Sequence, residues 1–160
     1  MRPAEFVAAL GGVFEHSPWI AERAFASRPF ADTAALHAAM VGVVRGASRD
    51  EQLGLLRAHP ELAGREAQAG TLTADSTSEQ QSAGLNALTR AEMERVGRLN
   101  RAYRERFDFP FIIAVRRHTK DGIFAEFERR LENDAESERL ECLEQVYIIT
   151  RIRLDALVAA

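Results

Sequence analysis

Thiols are almost missing from this chain of 160 residues: Cys142 is its one cysteine. A single cysteine excludes an internal disulfide and any multi-cysteine metal site. It is expected to pack in the core as a small hydrophobe. His59 and Glu61 stand one residue apart, and no His-x-x-x-His pair exists, so a metal centre is not expected. Gly11-Gly12 and Gly42 lack the spacing of a phosphate-binding loop. No apolar run nears the roughly 20 residues that span a bilayer. Charge of one sign is missing too. The 21 basic and 24 acidic residues are interspersed and net to −3. Binding to nucleic acid or a membrane surface by bulk charge is therefore excluded. "MRPAEFVAAL" makes a poor secretory signal and "LVAA" carries no retention address, so a cytoplasmic location is expected.

What is present is helical punctuation. Hydrophobic residues make up 46% of the chain, enough for a core. Pro3 opens "PAEFVAAL", which Gly11-Gly12 closes. Ser17-Pro18 reads as an N-cap with proline at the first helical position, leading a helix toward Pro29. Asp32 caps the next segment. Ser48 with Glu51, and Thr89 with Glu92, form capping boxes. Residues 62–75 read as a loop, with helix resuming near Ser76. "FDFPFIIAV", residues 107–115, is aromatic and β-branched around Pro110, so it is a buried extended connector or one short strand. With no partner strands, the expected fold is all-α: a single compact domain, 1–160, of about eight helices.

Three features could carry chemistry. "RAHPELAG" ends a helix on His59, which Pro60 turns away from helical geometry. Its imidazole either meets the helix C-terminus or points into a cleft as acid or base. "STSEQ" holds two overlapping capping boxes, Ser76 with Glu79 and Thr77 with Gln80. Either they merely start a helix, or that start offers N–H donors to a ligand. In the last helix, Leu140, Leu143, Val146, Tyr147, Thr150, Leu154 and Leu157 mark a buried stripe. Arg153 falls on or beside it and must snorkel or meet an anion, whereas Arg151 reads as solvated. A guanidinium there suits a carboxylate. His16, His37 and His118 read as surface or boundary residues.

Taken in order, "EHSPWIAERAFASRPF", "HPELAG", "SxxEQxxAGL", "LNRAYRERFDFPFI" and "ITRIRLDAL" resemble the OHCU decarboxylases (2-oxo-4-hydroxy-4-carboxy-5-ureidoimidazoline decarboxylases) of urate degradation. The resemblance covers almost the whole chain. It implies an all-α, dimeric, cofactor-free enzyme that converts OHCU to (S)-allantoin and carbon dioxide. By motif, His59 matches the catalytic histidine and Glu79 its acidic partner. Pro60, Ser76, Glu79 and Gln80 match substrate-contacting positions. Phe111, Ile112, Ile113, Ala114 and Val115 match a stretch whose backbone lines the pocket. Arg153 matches the substrate-binding arginine, with Arg151 only two residues away. Asp108 stands where many members have glycine, and Glu61 where many have aspartate. Two rival readings are a metal-free hydrolase of a ureide or hydantoin-like ring and a non-catalytic helical module.

Overall fold

A computed structural model describes residues 1–160. It contains nine α-helices, two short 3-10 turns and no strand. Contacts group the chain into two compact units: residues 1–58 with 146–160, and residues 59–145.

The first unit begins with α1, Pro3–Leu10, and α2, Trp19–Ala24, which a 3-10 turn extends to Ser27. Ser17 does not cap α2. Its hydroxyl donates to the Glu15 carbonyl instead, 2.9 Å away, and Pro18 takes the N-cap position. That donation directs the hydroxyl at the preceding turn, and its oxygen accepts from no N–H of the helix start. α3, Thr33–Arg45, is capped by Asp32, whose carboxylate accepts from the Ala35 N–H at 2.8 Å. α4, Arg49–Arg57, starts at the expected Ser48/Glu51 box, with both reciprocal bonds formed. α1 and α3 both pack on α2, and Phe6, Ile20, Met40, Val44 and Leu55 are buried.

The second unit contains the connector and the longest aromatic cluster. α5, Arg65–Ala69, is a helix of five residues inside the segment expected to be loop; Gly70 ends it in the left-handed conformation. α6, Ala74–Ser82, starts earlier than expected. Thr73 is its cap and accepts from the Ser76 N–H at 3.2 Å. Ser76, Thr77, Glu79 and Gln80 therefore lie within α6, so neither capping box forms, and the Ser76 N–H is already bound by Thr73. α7, Arg90–Phe107, opens on the Thr89/Glu92 box. Asp108 ends it at φ 62°, taking the left-handed turn that glycine takes most easily; aspartate is among the few other residues that tolerate it. α8, Lys120–Leu131, packs on α7. Tyr103 is ringed by Phe107, Phe109, Phe111 and Phe127, with Phe111 and Phe127 stacked at 3.9 Å.

α9, Ala135–Ala159, contributes residues to both units. Its stripe holds at Leu143, Val146, Tyr147, Thr150 and Leu154 but not at its ends. Leu140 is 50% exposed and Leu157 46%. Glu138 and Cys142 are buried at that end of the helix instead. Periodicity marks a face, but not how far along the helix the neighbouring elements cover it.

Two capping glutamates also bind cations, Glu51 to Arg23 and Glu92 to Lys120 at 2.8 Å. These bonds and the cap N–H groups hold both carboxyls down to about 2 against an ordinary 4.5. A depressed carboxyl pKa stabilises the fold above the unfolded value and loses that contribution as the folded value is approached. Urea midpoints are expected to fall between about pH 4.5 and 2, and to fall less steeply in Glu51→Gln with Glu92→Gln.

Candidate functional site

His59 follows the C-terminus of α4 and is buried, with 7% of its surface exposed. The loop it opens, His59–Gly64, has almost no internal hydrogen bonding and is held by side chains from elsewhere. Gln80 of α6 accepts from the Ala63 N–H at 2.9 Å. Asn100 of α7 donates to the Leu62 carbonyl at 2.9 Å. Gln68 of α5 donates to the Ala63 carbonyl at 3.2 Å, and Arg104 pairs with Glu61 at 2.7 Å. Ala63 sits at φ 47°, a conformation that costs a non-glycine residue energy and persists only when its surroundings hold it. Gly64 lies so close to Glu61 that a Cβ would meet the Glu61 Cβ at 2.7 Å. The glycine of "HPELAG" thus allows the loop to fold tightly on itself.

On α6, Ser76 and Gln80 are buried and Glu79 is half-buried. α6 also packs against the 3-10 turn Val115–Arg117, where Arg116 donates to the Ser78 hydroxyl at 2.7 Å. α6 therefore ties two other sequence-predicted segments, the His59 loop and the end of the connector, to its own polar stretch. A cavity of about 340 Å³ is lined in part by Ala63 of the loop and by Thr77 and Gln80 of α6; His59, Glu79 and the connector do not line it.

The connector is neither helix nor strand up to the 3-10 turn that begins at Val115, and Phe111 to Val115 are all buried. Its peptide groups divide into two sets. The Ile112 carbonyl accepts from Arg130 at 2.6 Å, and the Ala114 N–H donates to Gln145 at 2.9 Å. The peptide groups of Phe111 and Ile113 bond to no other group of the protein. Buried backbone groups are almost always paired, so a bared edge of this kind suits a polar ligand.

Behind the connector, Arg130, Glu138, Tyr103 and Cys142 are all fully buried. Arg130 pairs with Glu138 at 2.9 Å and donates to the Cys142 sulfur at 3.1 Å; Tyr103 donates to Glu138. Burial pushes the Cys142 thiol and the Tyr103 phenol up, so both keep their protons. Cys142 packs as expected, but it is also a polar member of this cluster.

Arg153 is buried in the first unit and does meet an anion. Its guanidinium pairs with Glu15 at 2.8 Å and donates to the Val13 carbonyl at 3.3 Å. Arg151 pairs with Asp155 at 3.0 Å in solvent. His37 bonds Thr150 at 3.0 Å, while His16 is exposed. Glu15, Arg130, Glu138 and Gln145 went unassigned in sequence reasoning. Only Glu15 carried a signal, as the acid of "EHSPW". No three His, Cys, Asp or Glu side chains converge where an ion could sit.

These features define a class of protein: an all-helical chain that ties a histidine loop to a polar helix and bares a buried peptide edge. A family model described as OHCU decarboxylase matches residues 1–155. The 2-oxo-4-hydroxy-4-carboxy-5-ureidoimidazoline decarboxylase of Haloferax volcanii is 46% identical over 149 residues, which cover 93% of this chain and 86% of that protein. The mouse protein of the same name is 40% identical over 156 residues, covering 98% and 88%. The uric acid degradation bifunctional protein PucL of Bacillus subtilis is 45% identical over 145 residues, 91% of this chain but 28% of that protein. A solved (S)-allantoin synthase superposes with a TM-score of 0.76 at 36% identity, covering 98% of this chain and 51% of that one. The chain belongs to the OHCU decarboxylase family.

Glu15→Ala would leave the Arg153 charge buried beside a lost partner. It is expected to cost about 3–5 kcal/mol in urea unfolding, as for other broken buried pairs. Arg151→Ala, which breaks an exposed pair, is expected to cost about 1 kcal/mol or less.

Proposed function

We propose that this chain decarboxylates OHCU to (S)-allantoin and carbon dioxide without a cofactor, as one functional domain of residues 1–160. The match to OHCU decarboxylases over residues 1–155 carries the reading. A homodimer in the cytoplasm belongs to the same proposal and rests on the family resemblance.

The substrate supplies its own electron sink. When the carboxylate leaves the ring carbon as carbon dioxide, the bonding pair forms a double bond to the neighbouring ring carbon and the π pair of the adjacent C=N bond shifts onto its nitrogen. That nitrogen takes a proton, and an enol remains. The enol hydroxyl then gives up its proton, a proton arrives at the neighbouring carbon, and allantoin results. Such a reaction needs orientation and proton handling more than added electron storage.

His59, oriented by Glu79, either acts at the ring hydroxyl or stabilises the developing charge. Pro60 sets the direction of the imidazole. Ser76, Gln80 and the backbone of Phe111, Ile112, Ile113, Ala114 and Val115 hold the ring and the ureido arm. The bared peptide groups of Ile113 provide a donor and an acceptor, the complement of a urea-type edge. Gln80 already accepts from Ala63, so its remaining N–H groups are the ones available to substrate. Arg153, on the family motif, holds an anionic or carbonyl part of the substrate.

Freshly generated OHCU, followed by circular dichroism, tests this. Wild type is expected to give fast decay to one-handed allantoin with release of carbon dioxide. Folded His59→Ala is expected to be slower by roughly a hundred- to ten-thousand-fold, the range of lost acid–base help. Ring opening without carbon dioxide would instead mark a hydrolase. Full activity in His59→Ala would remove the histidine from the mechanism.

A further inference from the structure

We propose that Gln145, together with Arg130, is a positioning residue: the two peg one edge of the connector and so hold its opposite edge in register for substrate. The inference rests on the reading of that opposite edge as a wall of the substrate site.

Ile112 and Ala114 are two residues apart, and in an extended chain their peptide groups face the same side. Both are held there, Ile112 by Arg130 of α8 and Ala114 by Gln145 of α9. The peptide groups of Phe111 and Ile113 make no hydrogen bond within the protein, and the same alternation assigns them to the other edge. In a sheet, a neighbouring strand would fix the first edge. Here two side chains do so at alternate positions.

Each peg is itself held. Arg130 is clamped by Glu138, and its guanidinium lies over the Phe111 ring at 4.4 Å. The Gln145 amide is oriented by a donation from its Nε2 to Glu141 at 3.2 Å, which turns Oε1 toward the Ala114 N–H. Arg130 is fully buried, and a variant there risks the fold. Gln145 is half-buried, so it is the peg that can be tested cleanly.

The measurement is steady-state kinetics on OHCU, with helicity and thermal midpoint recorded for every variant. Gln145→Met removes the acceptor and keeps the bulk. It is expected to raise KM about three- to tenfold, the size of one hydrogen bond, with a smaller change in kcat. A peg for groups that bind substrate and transition state alike acts mainly on KM. Gln145→Glu combined with Glu141→Gln restores both the acceptor and its orienting donor. This double variant is expected to return KM to within about twofold of wild type. An unchanged KM in Gln145→Met overturns the proposal. So does a double variant as impaired as Gln145→Met, because the effect would then be packing. His59→Ala, run alongside, keeps the parent reading separate: full activity there refutes the decarboxylase mechanism, whatever Gln145 does.

Discussion

A buried stretch of irregular backbone with no sheet to join is the constraint on which the second unit depends. Peptide groups removed from water must find partners. From Pro110 to Ala114 neither a helix nor a strand supplies them. The fold answers on one edge with side chains, and for that it buries a guanidinium, a carboxylate, a phenol and a thiol together. Such a cluster is weak evidence for stability, since apolar side chains of similar volume often do as well. Its value lies in direction. A guanidinium clamped by Glu138 can hold the Ile112 carbonyl at a defined angle, and a leucine cannot.

The loop opened by His59 follows the same logic. It too lacks regular structure, and side chains from α5, α6 and α7 bind its peptide groups. Asn100 shows what this costs. One amide atom serves the loop, while the other, Oδ1, is buried with no hydrogen bond. Both irregular segments are thus carried by rigid helices, which place groups more precisely than free loops do. Gln80 serves as a strut for the histidine loop and remains a proposed substrate contact.

Much of this was legible one residue at a time. Asp32, the Ser48/Glu51 box and the Thr89/Glu92 box begin their helices where expected, because caps are local chemistry. Pro110 kept the connector out of any helix. Thr73 displaced Ser76 as a cap because overlapping polar residues offer several local solutions, and neighbouring elements select one. α5 was missed because its five residues are too few to show a period. The helical period alone gives Arg153 its need for an anion; that the anion is Glu15, 138 positions earlier, is not a local property.

Local sequence is enough for the longer helices, the starts of α3, α4 and α7, the break at Pro110 and, through ordered motifs, the family. These rest on interactions between residues a few positions apart. Which peptide groups of the connector are pegged, and that Gln145 and Arg130 do the pegging, follows from packing between distant segments. Those outcomes depend on hydrogen bonds between residues 18 and 31 positions apart, whose geometry exists only once α8 and α9 have packed. The opening of "RAHPELAG" divides in the same way. Pro60 turns the chain locally, but the straps from Gln80 and Asn100 that hold the His59 loop come from other helices.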